Sequence, residues 1–145
     1  MPSATTSAPL RQGPHLIPSD PRTAWLDAYR RVRSETERRA APLAAEDQVI
    51  QSMPDASPTK WHRAHTTWFF EQFLLTPNVA GYRPFDDRFA FLFNSYYVQA
   101  GPRHERFKRG LVTRPTTTEV AAYRAHVDAA MEDFIGGLDD EKLRA

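Results

Sequence analysis

Residues 58–75 read PTKWHRAHTTWFFEQFLL, and this stretch decides the fold. It is the most aromatic part of the chain. Ser57-Pro58 is a cap-plus-proline start signal and Thr76-Pro77 a stop, so the pattern predicts a helix over 58–75. At about 100° per residue from His65, Trp61 falls near −40°, Trp68 near −60°, Phe69 near +40° and Gln72 near −20°. His65 therefore stands in the middle of the face expected to be buried. His62 falls near +60°, on its rim, and Glu71 near −120°, where a surface ion-pair partner is expected.

Two further helices flank it. Asp20-Pro21 is an N-cap followed by a first-turn proline, and Pro42 ends the segment, which predicts a helix over 21–41. Trp25, Tyr29, Val32 and Thr36 share one side of it, and Arg30, Arg31, Glu35, Arg38 and Arg39 the other. Thr116-x-x-Glu119 is a capping box, and Gly136-Gly137 a stop, so a helix is expected over 117–136. Its stripe is Val120, Tyr123, Val127, Ala130, Phe134 and Ile135. The connectors are long. Glu46–Ser52 has room for one helical turn, and Phe89–Gln99 for a short helix. Three capped helices make an all-α chain, and the arithmetic is that of a four-helix bundle without its fourth helix. Helices joined directly are expected to pack antiparallel. If the geometry of a four-helix bundle is kept, three helices cannot cover all of Trp25, Tyr29, Trp61, Trp68, Tyr123 and Phe134.

Composition narrows the class. With 41% hydrophobic and 12% aromatic residues, wholesale disorder is excluded. Cysteine is absent, which removes disulfides, thiolate metal sites and thiol nucleophiles. No run approaches the roughly 18 apolar residues of a membrane span, and the N-terminus has no apolar signal core, so a cytoplasmic protein is expected, without a membrane partner. Lys+Arg 19 against Asp+Glu 18 makes no case for nucleic acid. Residues 1–18, with Pro2, Pro9, Pro14 and Pro18, read as a flexible tail ahead of a domain over 19–145.

Two features carry candidate chemistry. His65 on a buried face is driven towards neutral imidazole, the metal-binding form. The plainer reading of the residue alone is a core histidine hydrogen-bonded to a neighbouring helix. His126 reads as a surface or boundary residue, and His15 lies in the tail. Residues 103–114 hold Arg103, Arg106, Lys108, Arg109 and Arg114 against Glu105 alone, with His104 among them. Arg106 and Arg109 suit a carboxylate or phosphate pocket walled by Phe89, Phe91, Phe93, Tyr96 and Tyr97. The same run also reads as a solvated loop. No P-loop, GxGxxG or Ser-His-Asp order is present.

Three strings, SPTKWHRAHTTWFFEQFLL, YRPFDDRFAFLFNSYY and GPRHERFKRGLVTRPTTTEVAAYRAHVDAAM, resemble the N-terminal DinB-like domain of the ergothioneine-biosynthesis sulfoxide synthases. The resemblance spans residues 19–138. It implies a non-haem iron(II) enzyme that uses dioxygen to join the sulfur of cysteine or γ-glutamylcysteine to hercynine, forming a sulfoxide. Three histidines hold the iron in that family, and His65 matches the first. The other two come from a His-x-x-x-His-x-Glu motif on the fourth helix, and a C-terminal domain supplies much of the pocket. The resemblance matches Arg106 and Arg109 to the donor's carboxylates. It therefore implies a truncated chain, inactive alone, that needs a missing C-terminal half or self-associates. The alternative is a stand-alone helical interaction module, taking a partner helix in the open groove.

Overall fold

The computed structural model describes residues 20–143; the tail expected over 1–18 lies outside them. Helix α1 spans Pro21–Ala40 and α2 spans Thr59–Phe70. A π-helical turn, Glu71–Leu75, and the short α3, Thr76–Asn78, prolong α2. Then come α4, Phe89–Leu92, and the long α5, Thr117–Gly137. Short 3-10 turns at Asp47–Val49, Val98–Ala100 and Arg106–Leu111 punctuate the connectors. Among the described residues there is no strand, only an isolated bridge between Met53 and Ala56. The all-α expectation holds.

Local chemistry sets most of the ends. The Asp20 carboxylate accepts from the Arg22 amide at 3.0 Å, with Pro21 in the first turn. Thr116 Oγ1 accepts from the Glu119 amide at 3.1 Å, and Glu119 Oε2 accepts from the Thr116 amide at 2.6 Å. Each such cap is worth about 1 kcal/mol. At α2 the cap position is Pro58 itself, which has no acceptor to offer. The Ser57 hydroxyl is left for another task.

Long-range pairs give the topology. Arg30 meets Glu132, Arg33 meets Asp128 and Glu37 meets Arg124, so α1 and α5 are antiparallel. Glu37 meets Arg63, Arg33 meets Thr67, and Tyr29 packs edge-on against Phe70, so α1 and α2 are antiparallel as well. It follows that α2 and α5 run the same way, which the long connector between them permits. No helix among the described residues is long and apolar enough to cross a membrane.

The buried faces differ from the sequence reading in an informative way. In α1, Trp25 and Val32 remain 56% and 58% exposed, while Tyr29 and Arg33 are buried. Helix α2 buries two faces rather than one. Trp61, Ala64, Trp68 and Leu75 enter the apolar core with Phe89, Phe93, Val120, Tyr123, Val127 and Met131. Lys60, Arg63, Thr67 and Glu71 line an adjoining polar flank that α1, α5 and the connectors cover. Glu71 is thus fully buried, contrary to the surface ion pair expected of it. Its carboxylate accepts from Tyr82 Oη at 2.9 Å, Tyr123 Oη at 2.6 Å and the Phe85 amide at 3.1 Å. A wheel drawn around His65 finds only the aromatic face, because hydrophobic periodicity says nothing of a buried polar seam.

Along that seam Arg63 and Arg124 converge on Glu37, at 2.7 and 2.5 Å, and Arg33 on Asp128 at 2.6 Å. Burial, with Arg33 nearby, pushes the Arg124 guanidinium down to about 10. The arginines are buried but their acids keep contact with solvent, the Glu37 side chain 45% and the Asp128 side chain 30% exposed, so removing either acid would leave a buried guanidinium without its ion-pair partner.

Candidate functional site

Helix α2 presents Trp61, His62 and His65 at one end of the bundle. His65 is half-buried, at the margin of the apolar face rather than its middle. Its ring stacks on Trp61 at 4.6 Å and on Trp68 at 5.5 Å, within 16° and 19° of parallel. The chain after α4 then closes over this face. Trp61 Nε1 donates to the Leu92 carbonyl at 2.9 Å, and His65 Nδ1 lies 2.7 Å from the Phe93 carbonyl. Consecutive carbonyls thereby fix indole and imidazole together.

The Phe93 contact decides the tautomer. A carbonyl oxygen only accepts, so Nδ1 carries the proton and the Nε2 lone pair is left open. Nε2 has no hydrogen-bond partner among the described residues. Burial holds the imidazole below its ordinary value, and the Arg109 and His62 charges push the same way, against the Phe93 bond. A neutral ring with a free Nε2 is one metal-donor arm.

The basic segment faces it. Asn94 Nδ2 donates to the carbonyls of Tyr97 and Gly101, at 3.1 and 3.0 Å, which folds this irregular link tightly. Gly101, at φ 97°, makes a turn that a Cβ would strain. The 3-10 turn Arg106–Leu111 follows. Arg109 Nη1 donates to Ser57 Oγ at 2.8 Å, and its guanidinium lies 3.5 Å from the Trp61 ring centroid. Arg106 lies over Tyr96 at 4.7 Å, and Arg103 over the same ring at 5.8 Å. Among the described residues, none of these three arginines pairs with a carboxylate. Arg109 is only 4% exposed, and its Nε has no partner. Burial and the charges of Arg106 and Arg103 push Arg109 down to about 10.

His65, His62, Arg106, Arg109, Ser57, Trp61 and Tyr97 therefore line one cleft of about 460 Å³. The structure brings His65 and both arginines together. His126 does not join them: it is exposed, with Nε2 3.2 Å from the Arg83 carbonyl. His104 packs against Phe91 rather than facing the imidazole. Of the aromatic residues expected to wall the pocket, Tyr97 does so with Tyr96, whereas Phe89 and Phe93 belong to the core and Phe91 is exposed. His62 is exposed at the cleft; partial desolvation of its ring, with the Arg109 charge, holds it below its ordinary value.

Sequence reasoning missed Ser57, read there as a cap, and Trp61 as a cation platform. It also missed Lys60, whose ammonium donates to the Val112 carbonyl at 2.8 Å and ties the basic segment to α2. The residue-type pattern announces none of these contacts, since each partner is a loop backbone or a distant side chain.

The iron(II) centre implied by the resemblance is only partly accommodated. His65 has the protonation and the free nitrogen for one ligand. Among the described residues no group of three or more His, Asp or Glu side chains is placed to hold a metal ion. These residues fit one arm of such a centre and not the whole. The cleft is able to hold a carboxylate against Arg106 and Arg109 beside a neutral donor nitrogen. The family model of the DinB superfamily matches residues 28–145. No curated protein matches the chain.

Proposed function

We propose that this chain, which belongs to the DinB superfamily, supplies one half of the active site of a sulfoxide synthase in ergothioneine biosynthesis. The observation that carries the reading is the meeting of His65, Arg106 and Arg109 in one cleft, with neither arginine ion-paired among the described residues although Asp55 also lines the cleft. The three strings that resemble the sulfoxide synthases support it. Iron(II), bound through His65 and ligands from outside residues 20–143, would supply redox chemistry towards dioxygen. The described residues do not complete that centre.

What this chain's own groups do is bind and orient. Arg109, held by Ser57 and Trp61, gives a fixed fork for the carboxylate of cysteine or γ-glutamylcysteine. Arg106, more open, adds a second charge. The donor's thiol is then directed towards His65 Nε2. Hercynine and the family's C-terminal domain complete the site from the other side. The test is calorimetric titration of the chain with γ-glutamylcysteine and, separately, cysteine. Binding that disappears in Arg106→Ala/Arg109→Ala supports the reading; equal affinity in both proteins contradicts it.

A second reading, a helical interaction module, has its own observation. Trp25, Tyr29, Val32, Phe70, Leu74 and Phe134 line an apolar groove of about 410 Å³ between α1, the C-terminal end of α2 with its π-helical turn, and α5. Tight capture of an apolar helix there, together with no affinity for either thiol donor, favours that reading.

A further inference from the structure

The Arg106–Leu111 turn is six residues of 3-10 helix. Runs beyond three or four are uncommon, because their hydrogen bonds are poorly aligned, so such a turn needs support from outside. Gln51 provides it from a connector more than fifty residues away. Its Nε2 donates to the Arg106 carbonyl at 2.8 Å, and its Oε1 accepts from the Gly110 amide at 2.7 Å. One side-chain amide thus grips the turn on both sides of Arg109. The same Nε2 reaches the Pro54 carbonyl at 3.3 Å, which anchors Gln51 to its own loop. The approach is close: a Cβ on Gly110 would stand 2.8 Å from Gln51 Cβ. Gly110 is required here for space rather than for a positive φ.

We infer that Gln51 is a positioning residue for the anion site, its amide clamp on Arg106 and Gly110 holding the Arg109 guanidinium over Trp61 and into the cleft. Gln51 does not line that cleft; it acts through the turn. The inference rests on the carboxylate reading above for its consequence, and on the clamp geometry alone for its structural part.

The experiment uses the full chain and the variants Gln51→Ala and Gly110→Ala. Amide exchange at Gly110 and Trp61 fluorescence report the turn and the Arg109 stack. Calorimetry with γ-glutamylcysteine reports the site, and thermal melting reports the fold. Loss of two neutral hydrogen bonds predicts affinity lower by about tenfold in Gln51→Ala, with faster Gly110 exchange and altered Trp61 emission. Gly110→Ala, which forces the two segments apart, should reproduce all three effects. Unchanged exchange and emission in both variants overturn the inference. So does a loosened turn with undiminished affinity. A loosened turn in a chain whose wild type binds no γ-glutamylcysteine upholds the clamp and overturns the carboxylate reading instead.

Discussion

His65 Nδ1 lies 2.7 Å from the carbonyl oxygen of Phe93. That one contact gives an aromatic-face histidine a direction. It places the proton on Nδ1, frees Nε2 towards the cleft, and fastens α2 to the segment that leads into the arginines. The expected result in 15N NMR is the Nδ1–H tautomer. Its titration midpoint should lie below the ordinary 6.5, since burial disfavours the imidazolium. The folded state then takes up this proton less readily than the unfolded state. Stability contributed by neutral His65 is intact above pH 6.5 and falls as pH drops from there towards the folded-state value. His65→Gln should flatten that slope in denaturant titrations, and an unchanged slope counts against the assignment.

Arg106 and Arg109 are expected to act together on the thiol donor. A charge-assisted hydrogen bond is worth about 1.5–3 kcal/mol, so Arg106→Ala/Arg109→Ala should weaken donor binding by roughly tenfold or more. In a fusion of this chain to the family's fourth helix and C-terminal domain, the KM for the donor should rise and hercynine affinity stay nearly constant. An unchanged KM for both cysteine and γ-glutamylcysteine would return the segment to a solvated loop.

Glu71 offers a test of the fold. Three donors satisfy its buried carboxylate, and the shortest bond comes from Tyr123 at 2.6 Å. Tyr123→Phe removes that donor with little change of shape. A loss of about 1.5–3 kcal/mol is expected, the worth of a hydrogen bond to a charged group. Urea unfolding measures it; a neutral effect would mean that Tyr82 and the Phe85 amide suffice.

The bundle's helices were legible because their signals are local. Asp20-Pro21, Thr116-x-x-Glu119 and the aromatic string over 58–75 each act within a turn or two. The cleft was legible in part. His65 and the two arginines stand out as residue types, but which of them meet depends on the path of residues 79–116. That path is set by Asn94, Lys60 and Gln51 bonding to backbone carbonyls and amides, which no periodicity reports. The seam of buried Arg33, Arg63 and Arg124 around the half-exposed Glu37 was invisible for the same reason: charge at helical spacing reads as a solvated face until a second charged helix is known to lie against it. The groove beside Trp25 was anticipated only in outline. Tyr29, Trp61, Trp68 and Tyr123, expected to strain the cover of three helices, are all buried, and Trp25 alone of the six is more than half exposed.

That groove makes a further prediction. A synthetic peptide of the family's fourth helix should raise the melting temperature, since a ligand that binds only the folded state stabilises it. Trp25→Ala should diminish the shift. A compact monomer that melts cooperatively and ignores the peptide would show the three long helices closed on themselves.

The most direct measurement is of turnover in a chain fused to the family's fourth helix and C-terminal domain, supplied with iron(II), dioxygen, hercynine and a thiol donor, with the sulfoxide followed by mass spectrometry. The account predicts product from the parent and from His126→Ala, and none from His65→Ala, whose folding is checked by circular dichroism. Full product formation by His65→Ala would contradict it.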